Sequence, residues 1–267
     1  MFSDLTLSRR LERAEGLACA RFIDARAAVS PDVGAAWMEV DGTLAMFDGP
    51  QSPLTQTFGL GMGPVSAATL DRVEAFFQER QAPVFHEVSP LADPALFALL
   101  YERGYAILEF TSVLWRPISP AHEARPGDGR VIARRVRSDE HGLWARMSVR
   151  GWSHLPELSD FVLSLEHLNP HRTDHVPFLA ELNGEVVAAA SLVMNEGVAI
   201  LAGGSTVPEA RRQGAQRALL EARLAYAAER GCDFAMMGAL PGSDSQRNAE
   251  RQSFRIAYTR IKWRLAR

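Results

Sequence analysis

Ser205-Thr-Val-Pro-Glu-Ala-Arg-Arg-Gln-Gly-Ala-Gln-Arg-Ala-Leu-Leu220 is the stretch that says most about this chain. Its opening residues are β-branched and end at Pro208, which cannot donate to a ladder. Three long polar side chains follow, Arg211, Arg212 and Gln213. Gly214 then opens a helix whose apolar face is Ala218, Leu219, Ala222 and Ala225. A strand, a short loop and a helix N-terminus together make an anion site. The first-turn N–H groups have no acceptor inside the helix, and the helix dipole adds partial positive charge. Gly214 has no Cβ, so a ligand can approach the backbone closely. Arg211, Arg212 and Arg217 add charge-assisted donors. The pattern predicts a phosphate-bearing ligand here; solvated arginines beside an ordinary turn are the plainer alternative.

Working outward, the flanking sequence reads as alternating strands and helices. Strands are expected at Val131–Val136, Val176–Leu182, Glu185–Met194 and Val198–Thr206, with Asn183-Gly184 as a type I′ hairpin turn. Helices are expected at Asp139–Gly151 and Glu157–Leu168, and from Gly214 to Arg230. Phe234–Gly238, Ser245–Gln252 and Ser253–Leu265 follow as strand, helix and strand. Ser119–Arg130, with two prolines and two glycines, reads as a linker. Before it, a helix spans Ser3 to Val29, and strands Trp37–Val40 and Leu44–Phe47 flank Asp41-Gly42. Thr55–Leu60 is a short strand, and Ser66 caps a helix with apolar face Leu70, Val73, Phe76 and Phe77. A strand at Val84–Val88, a helix from Asp93-Pro94 to Arg103 and a strand at Tyr105–Trp115 complete this part.

The two parts end alike. Gly104–Arg116 and Ser253–Arg264 share aromatic-Thr-x-(Val/Ile)-x-Trp-Arg once one residue is dropped, and each follows helix, strand, loop and helix. This is a repeat signal pointing to a duplicated fold, against the alternative of two unrelated amphipathic strands.

Composition excludes several classes. The 267 residues are 47% hydrophobic and 23% charged, which fits a folded domain or two and argues against disorder and fibrous repeats. A net charge of −3 leaves no basic surplus for nucleic acid. Lys262 is the only lysine. Cys19 and Cys232 are too few for a disulfide framework or zinc site. Charges begin at Asp4 and no apolar run spans a bilayer, so no secretory signal and no membrane are expected, and the location expected is cytoplasmic. His167, His171 and His175 share a spacing of four, but Pro170 breaks the helix that would align them, so no metal is expected. Gly59-x-Gly61-x-Gly63 lacks a nearby cation and reads as a turn, or as a decayed counterpart of the Gly214 loop.

The segment Val207-Pro-Glu-x-Arg211-x-x-Gly214-x-Gln216 resembles the acyl-CoA motif of the GNAT superfamily of N-acetyltransferases. That motif reads Arg/Gln-x-x-Gly-x-Gly/Ala, and Gln216 replaces its small residue. Strand Phe234–Met237, loop Pro241–Ser245, Asn248 and Ser253-Phe254 resemble the family's next segment. The resemblance covers Val131–Arg267. It implies an α+β (α/β mixed sheet) fold class, with two GNAT-like domains, each a mostly antiparallel twisted sheet flanked by helices. Residues 1–118 would be a degenerate copy, 119–130 a linker, and 131–267 the acetyl-CoA-binding domain. Acetyl-CoA, with no metal, is the implied co-substrate. It would be held by Thr206, Val207, Arg211, Arg212, Gln213, Gly214, Ala215, Gln216, Arg217 and Asn248, with its pantetheine arm in a gap between Val198–Val207 and Phe234–Gly238.

The implied reaction is direct attack on the thioester by an amine of a small molecule or peptide, with a base taking the proton. Glu181 and His154 are the candidate bases, with Glu196 also considered. Many relatives have a tyrosine where Ala249 stands, and Tyr258 reads as packed. A homodimer is compatible with the resemblance. Two other functions stay open: an acyl-CoA-binding sensor without turnover, and a non-GNAT domain holding another phosphorylated ligand.

Overall fold

The computed structural model describes residues 3–122 and 129–266; most of the Ser119–Arg130 linker, residues 123–128, lies outside the described residues. In chain order the helices are α1 (Leu5–Val29), α2 (Ala67–Gln78), α3 (Pro94–Glu102), α4 (His141–Gly151), α5 (Ser159–Leu168), α6 (Ala215–Glu229) and α7 (Asp244–Arg251). The strands are β1 (Ala36–Val40), β2 (Thr43–Phe47), β3 (Gln56–Phe58), β4 (Phe85–Val88), β5 (Tyr105–Pro117), β6 (Val131–Arg135), β7 (His175–Leu182), β8 (Glu185–Asn195), β9 (Val198–Thr206), β10 (Phe234–Ala239) and β11 (Arg255–Leu265). The expected elements recur with ends moved by a few residues. Asp41-Gly42 and Asn183-Gly184 adopt the positive φ values of type I′ turns.

The chain forms two compact units, residues 1–116 with 237–267, and residues 117–236. Residues 237–267, which include α7 and the last strand, group with the N-terminal elements. The physical reason is edge pairing. In the first unit the strand order is β1-β2-β3-β4-β11-β5, so β11 fills a slot that would otherwise leave β4 and β5 with unpaired edges.

Helix α2 begins at a capping box, with Ser66 and Thr69 exchanging side-chain and backbone bonds. Leu70, Val73, Phe76 and Phe77 are all buried, in a core with Leu96, Leu100, Val88 and Trp263. Each such side chain contributes about 1.5–3 kcal/mol by leaving water.

The two similar endings lie side by side in this unit. β5 and β11 run antiparallel, with Thr111 opposite Arg260 and Ser112 opposite Thr259. Replacing every residue by its counterpart in the other ending turns each of these pairs into the other. Each strand also carries a bulge ahead of its aromatic-Thr pair, beside Ile107 and beside Ile256.

In the second unit the order is β10-β9-β8-β7-β6. Helix α4 packs on β7–β9, and α6 packs on β6–β9. Ala188, Ala189 and Ala190 on β8 are fully buried between these layers, as are Leu219 and Ala227 of α6.

Candidate functional site

The strand–loop–helix junction lies in the second unit. β9 ends at Thr206, and a single 3₁₀ turn, Pro208–Ala210, reverses the chain. Arg212 has φ 64° and Gly214 has φ 94°. These two left-handed residues swing the backbone so that Gly214 becomes the N-cap of α6. Only glycine adopts a φ of 94° without steric cost. No side chain caps this helix start, so its first amides are left for an outside acceptor. Arg212, Gln213 and Arg217 are exposed around it, while Ala215 is buried and anchors the first turn.

Two of the expected contributors are engaged with the protein itself. Arg211 donates from Nε to the Thr206 carbonyl at 3.3 Å and from Nη2 to the Gly151 carbonyl at 3.1 Å. It thereby ties the end of α4 to the end of β9. The two ends touch so closely that a Cβ on Gly151 would lie 2.5 Å from Ser205 Cβ. Gln216 donates from Nε2 to Thr206 Oγ1 at 2.8 Å. The backbone groups of Val207 are also engaged within the protein. Its N–H donates to Val187 O at 3.0 Å, and its carbonyl accepts from Ala210 N at 3.0 Å, because both close the turn after β9.

The open edge begins further back on β9. β10 pairs with β9 in parallel only at Phe234–Val198, Ala235–Ala199 and Met236–Ile200. From Leu201 to Thr206, β9 has no ladder partner on that side among the described residues of the unit. On its other side β9 is bulged against β8. Ala189 faces Ser205 and Ser191 faces Ala202, so Gly203 and Gly204 together oppose Ala190. Gly203 sits at φ 61°, and Gly204 is exposed.

Two buried donors hold this bulge from opposite helices. Trp144 Nε1 on α4 donates to Ala190 O at 3.0 Å. Arg223 on α6 donates from Nη1 to Ser191 O and Ala202 O at 3.0 and 3.4 Å. Burial pulls the Arg223 guanidinium down to about 10. His175 Nε2 bonds Ser191 Oγ at 2.8 Å, and burial holds that imidazole well below its ordinary value, hence neutral. Sequence reasoning passed over Arg223, Trp144 and the His175–Ser191 pair. Arg223 had a signal: it stands at helical spacing from Leu219 and Ala227, inside the buried stripe.

The candidate bases lie in separate places. Glu181 on β7 accepts from Arg134 at 2.7 Å, and Arg134 also pairs with Glu140 at 2.6 Å, so Glu181 belongs to an ion-pair network at the β6–β7 edge. His154 is exposed in the turn after α4, and Glu196 sits in the β8–β9 turn. Asn248 is exposed on α7, its Oδ1 accepting from Arg251 at 3.2 Å, and belongs to the first unit. Tyr258 is buried there too, donating to Glu12 at 2.7 Å.

The Gly59–Gly63 loop is packed shut. A Cβ on Gly61 would lie 2.6 Å from Leu96 Cδ2, and Asp93 N donates to Gly61 O. Among the described residues no group of three or more His, Cys, Asp or Glu is placed to hold a metal. Among them, too, no helix is long and apolar enough to cross a membrane.

The family described as Acetyltransferase (GNAT) family matches residues 142–254, from the start of α4 to Phe254. No curated protein sequence matches the chain. A GCN5-related N-acetyltransferase from Kribbella flavida has a similar fold, with TM-score 0.67 and 18% identity over 93% of this chain and 96% of that one. A tandem GNAT protein from the clavulanic acid biosynthesis pathway gives TM-score 0.62 and 12% identity over 92% and 88%. A GCN5-related N-acetyltransferase from Sphaerobacter thermophilus gives 0.59 and 15% over 86% and 75%. The matched segment contains the whole β9–Gly214–α6 junction: residues 142–254 carry a domain of the GNAT acetyltransferase family, in a chain whose fold is similar to that of a tandem GNAT protein.

Proposed function

We propose that this protein is an N-acyltransferase that moves acetyl from acetyl-CoA to an amine of a small molecule or peptide. One observation carries the proposal: Arg212 and Gly214, both left-handed, aim the uncapped start of α6 outward beside the open edge of β9. The diphosphate of the co-substrate fits the amides that follow Gln213, with Arg212 and Arg217 as charged neighbours. The pantetheine arm fits the unpaired edge Leu201–Thr206, joining it as an added strand would. The thioester then falls at the Gly203–Gly204 bulge.

There a neutral amine attacks the carbonyl carbon. A C–N bond forms, the C–S bond breaks, and CoA leaves as thiolate, which takes a proton from solvent. The amine's proton goes to a base or through water. Of the sequence candidates, His154 is assigned this role, because Glu181 is engaged by Arg134. The fold is read as a duplication: 131–267 as the acetyl-CoA domain and 1–118 as a degenerate scaffold copy. The acceptor is the partner proposed; nucleic acid and membrane are not, and a homodimer is compatible.

The second reading, an acyl-CoA sensor without turnover, draws on two observations: Gln216 lies across to Thr206, and Glu181 is ion-paired. Release of CoA thiol with a panel of amines separates the two. Turnover that rises with amine concentration and falls in His154→Ala supports transfer. Saturable acetyl-CoA binding with no thiol release on any amine supports the sensor.

A further inference from the structure

Arg223 is a buried cation with no anion beside it among the described residues. Its neighbours at helical spacing, Leu219, Leu220 and Ala227, are core residues, and it is only 5% exposed. Its Nε donates to Leu219 O at 3.1 Å and its Nη1 to the carbonyls of Ser191 and Ala202. All three acceptors are neutral carbonyls, and burial lowers the proton affinity of the guanidinium. Burying a charge without its counter-charge is costly, and a methionine would fill this stripe of α6 without that cost.

What the charge faces is the β9 bulge. The Ala202 carbonyl that accepts from Arg223 belongs to the same peptide group as the N–H of Gly203. Drawing electron density toward that oxygen makes that N–H a stronger donor. The remaining nitrogen, Nη2, has no hydrogen-bond partner among the described residues, and lies 3.9 Å from the point that a Cβ on Gly204 would occupy. Gly204 and Ala202 are both exposed, so the guanidinium sits one peptide layer beneath an open surface. A fixed positive charge behind a bulge at which an oxyanion forms stabilises that oxyanion without reorganising during the reaction.

We propose that Arg223 is a positioning residue for acyl transfer. It holds the Gly203–Gly204 bulge from below and polarises it toward the developing negative charge on the thioester oxygen, without touching the substrate. This inference rests on the acyl-CoA reading above, which places the thioester at that bulge.

The test is infrared difference spectroscopy on the full chain with carbonyl-¹³C acetyl-CoA, beside calorimetry of the same co-substrate. In the wild type the bound carbonyl band is expected below its position in solution. Arg223→Gln, neutral but still able to donate, is expected to bind acetyl-CoA with little change in Kd while losing most of that shift. Arg223→Lys, which keeps the charge, is expected to retain it. Thiol release by Arg223→Gln should fall on the order of a hundredfold in kcat. A wild-type band unmoved from solution overturns the proposal without any variant, and so does Arg223→Gln with the wild-type shift. Failure of the wild type to bind acetyl-CoA in calorimetry instead sinks the acyl-CoA reading itself, and this inference with it.

Discussion

At Gly214 the backbone stands at φ 94°, and any side chain there costs about 1 kcal/mol in strain before it meets a ligand. That position was legible in the sequence because its neighbours constrained it: a β-branched run and a proline on one side, an apolar helical stripe on the other. Arg223 was not legible in the same way. Its spacing from Leu219 and Ala227 places it on the buried stripe of α6, but only the neighbouring bulge gives it carbonyls to serve. His86 is a second residue whose role only the fold reveals. Its ring is fully buried, bonded to Thr57 Oγ1 and Tyr105 OH at 2.9 Å each, and burial lowers it to about 3 from 6.5. Because the folded value lies below the unfolded one, the unfolded chain takes up a proton first as pH falls. Stability from His86 is complete above pH 6.5 and is lost on descent toward 3, by about 1.4 kcal/mol per pH unit. The carboxyl of Glu12, raised by burial, works in the opposite direction, so the comparison must be between variants. Urea titrations of His86→Gln should show a shallower loss of stability over that window than the wild type. Parallel pH curves would mean that the imidazole is not kept neutral by the fold.

The elements divide by how local their causes are. Helix α2 and the two type I′ hairpins are dictated by a few adjacent residues, and the sequence reading placed them within a residue or two. The β9 bulge is different. Gly203-Gly204 alone does not say that two residues will oppose one, because register is set jointly with β8 and by donors from α4 and α6. Trp144 supplies one of those donors. Trp144→Phe keeps most of the buried ring but leaves the Ala190 carbonyl without its indole partner. It should cost about 1–3 kcal/mol of unfolding free energy. It should also lower the rate of thiol release more than it weakens acetyl-CoA binding. A variant with wild-type stability and turnover would show that the bulge does not depend on this bond.

Across the whole molecule, two similar endings were visible in the sequence, but not that they would pair with each other. Alternation fixes the two faces of a strand and says nothing about its neighbours. Only the folded chain shows β11 between β4 and β5, with Trp263 in the core built by α2 and α3. A chain ending at Gln252 lacks that strand and should lose cooperative unfolding of the first unit, read as lost amide protection in α2 and α3. Retained protection there would show that the strand is dispensable. The Gly214 junction lies in the second unit, and the acyl-CoA assignment stands or falls on it. Calorimetric titration of acetyl-CoA into the wild type and into Gly214→Glu tests it most directly. Saturable one-to-one heat in the wild type and none in a folded Gly214→Glu are the predicted results. No heat in the wild type, or equal affinity in the variant, would contradict the assignment of the α6 N-terminus as the diphosphate site.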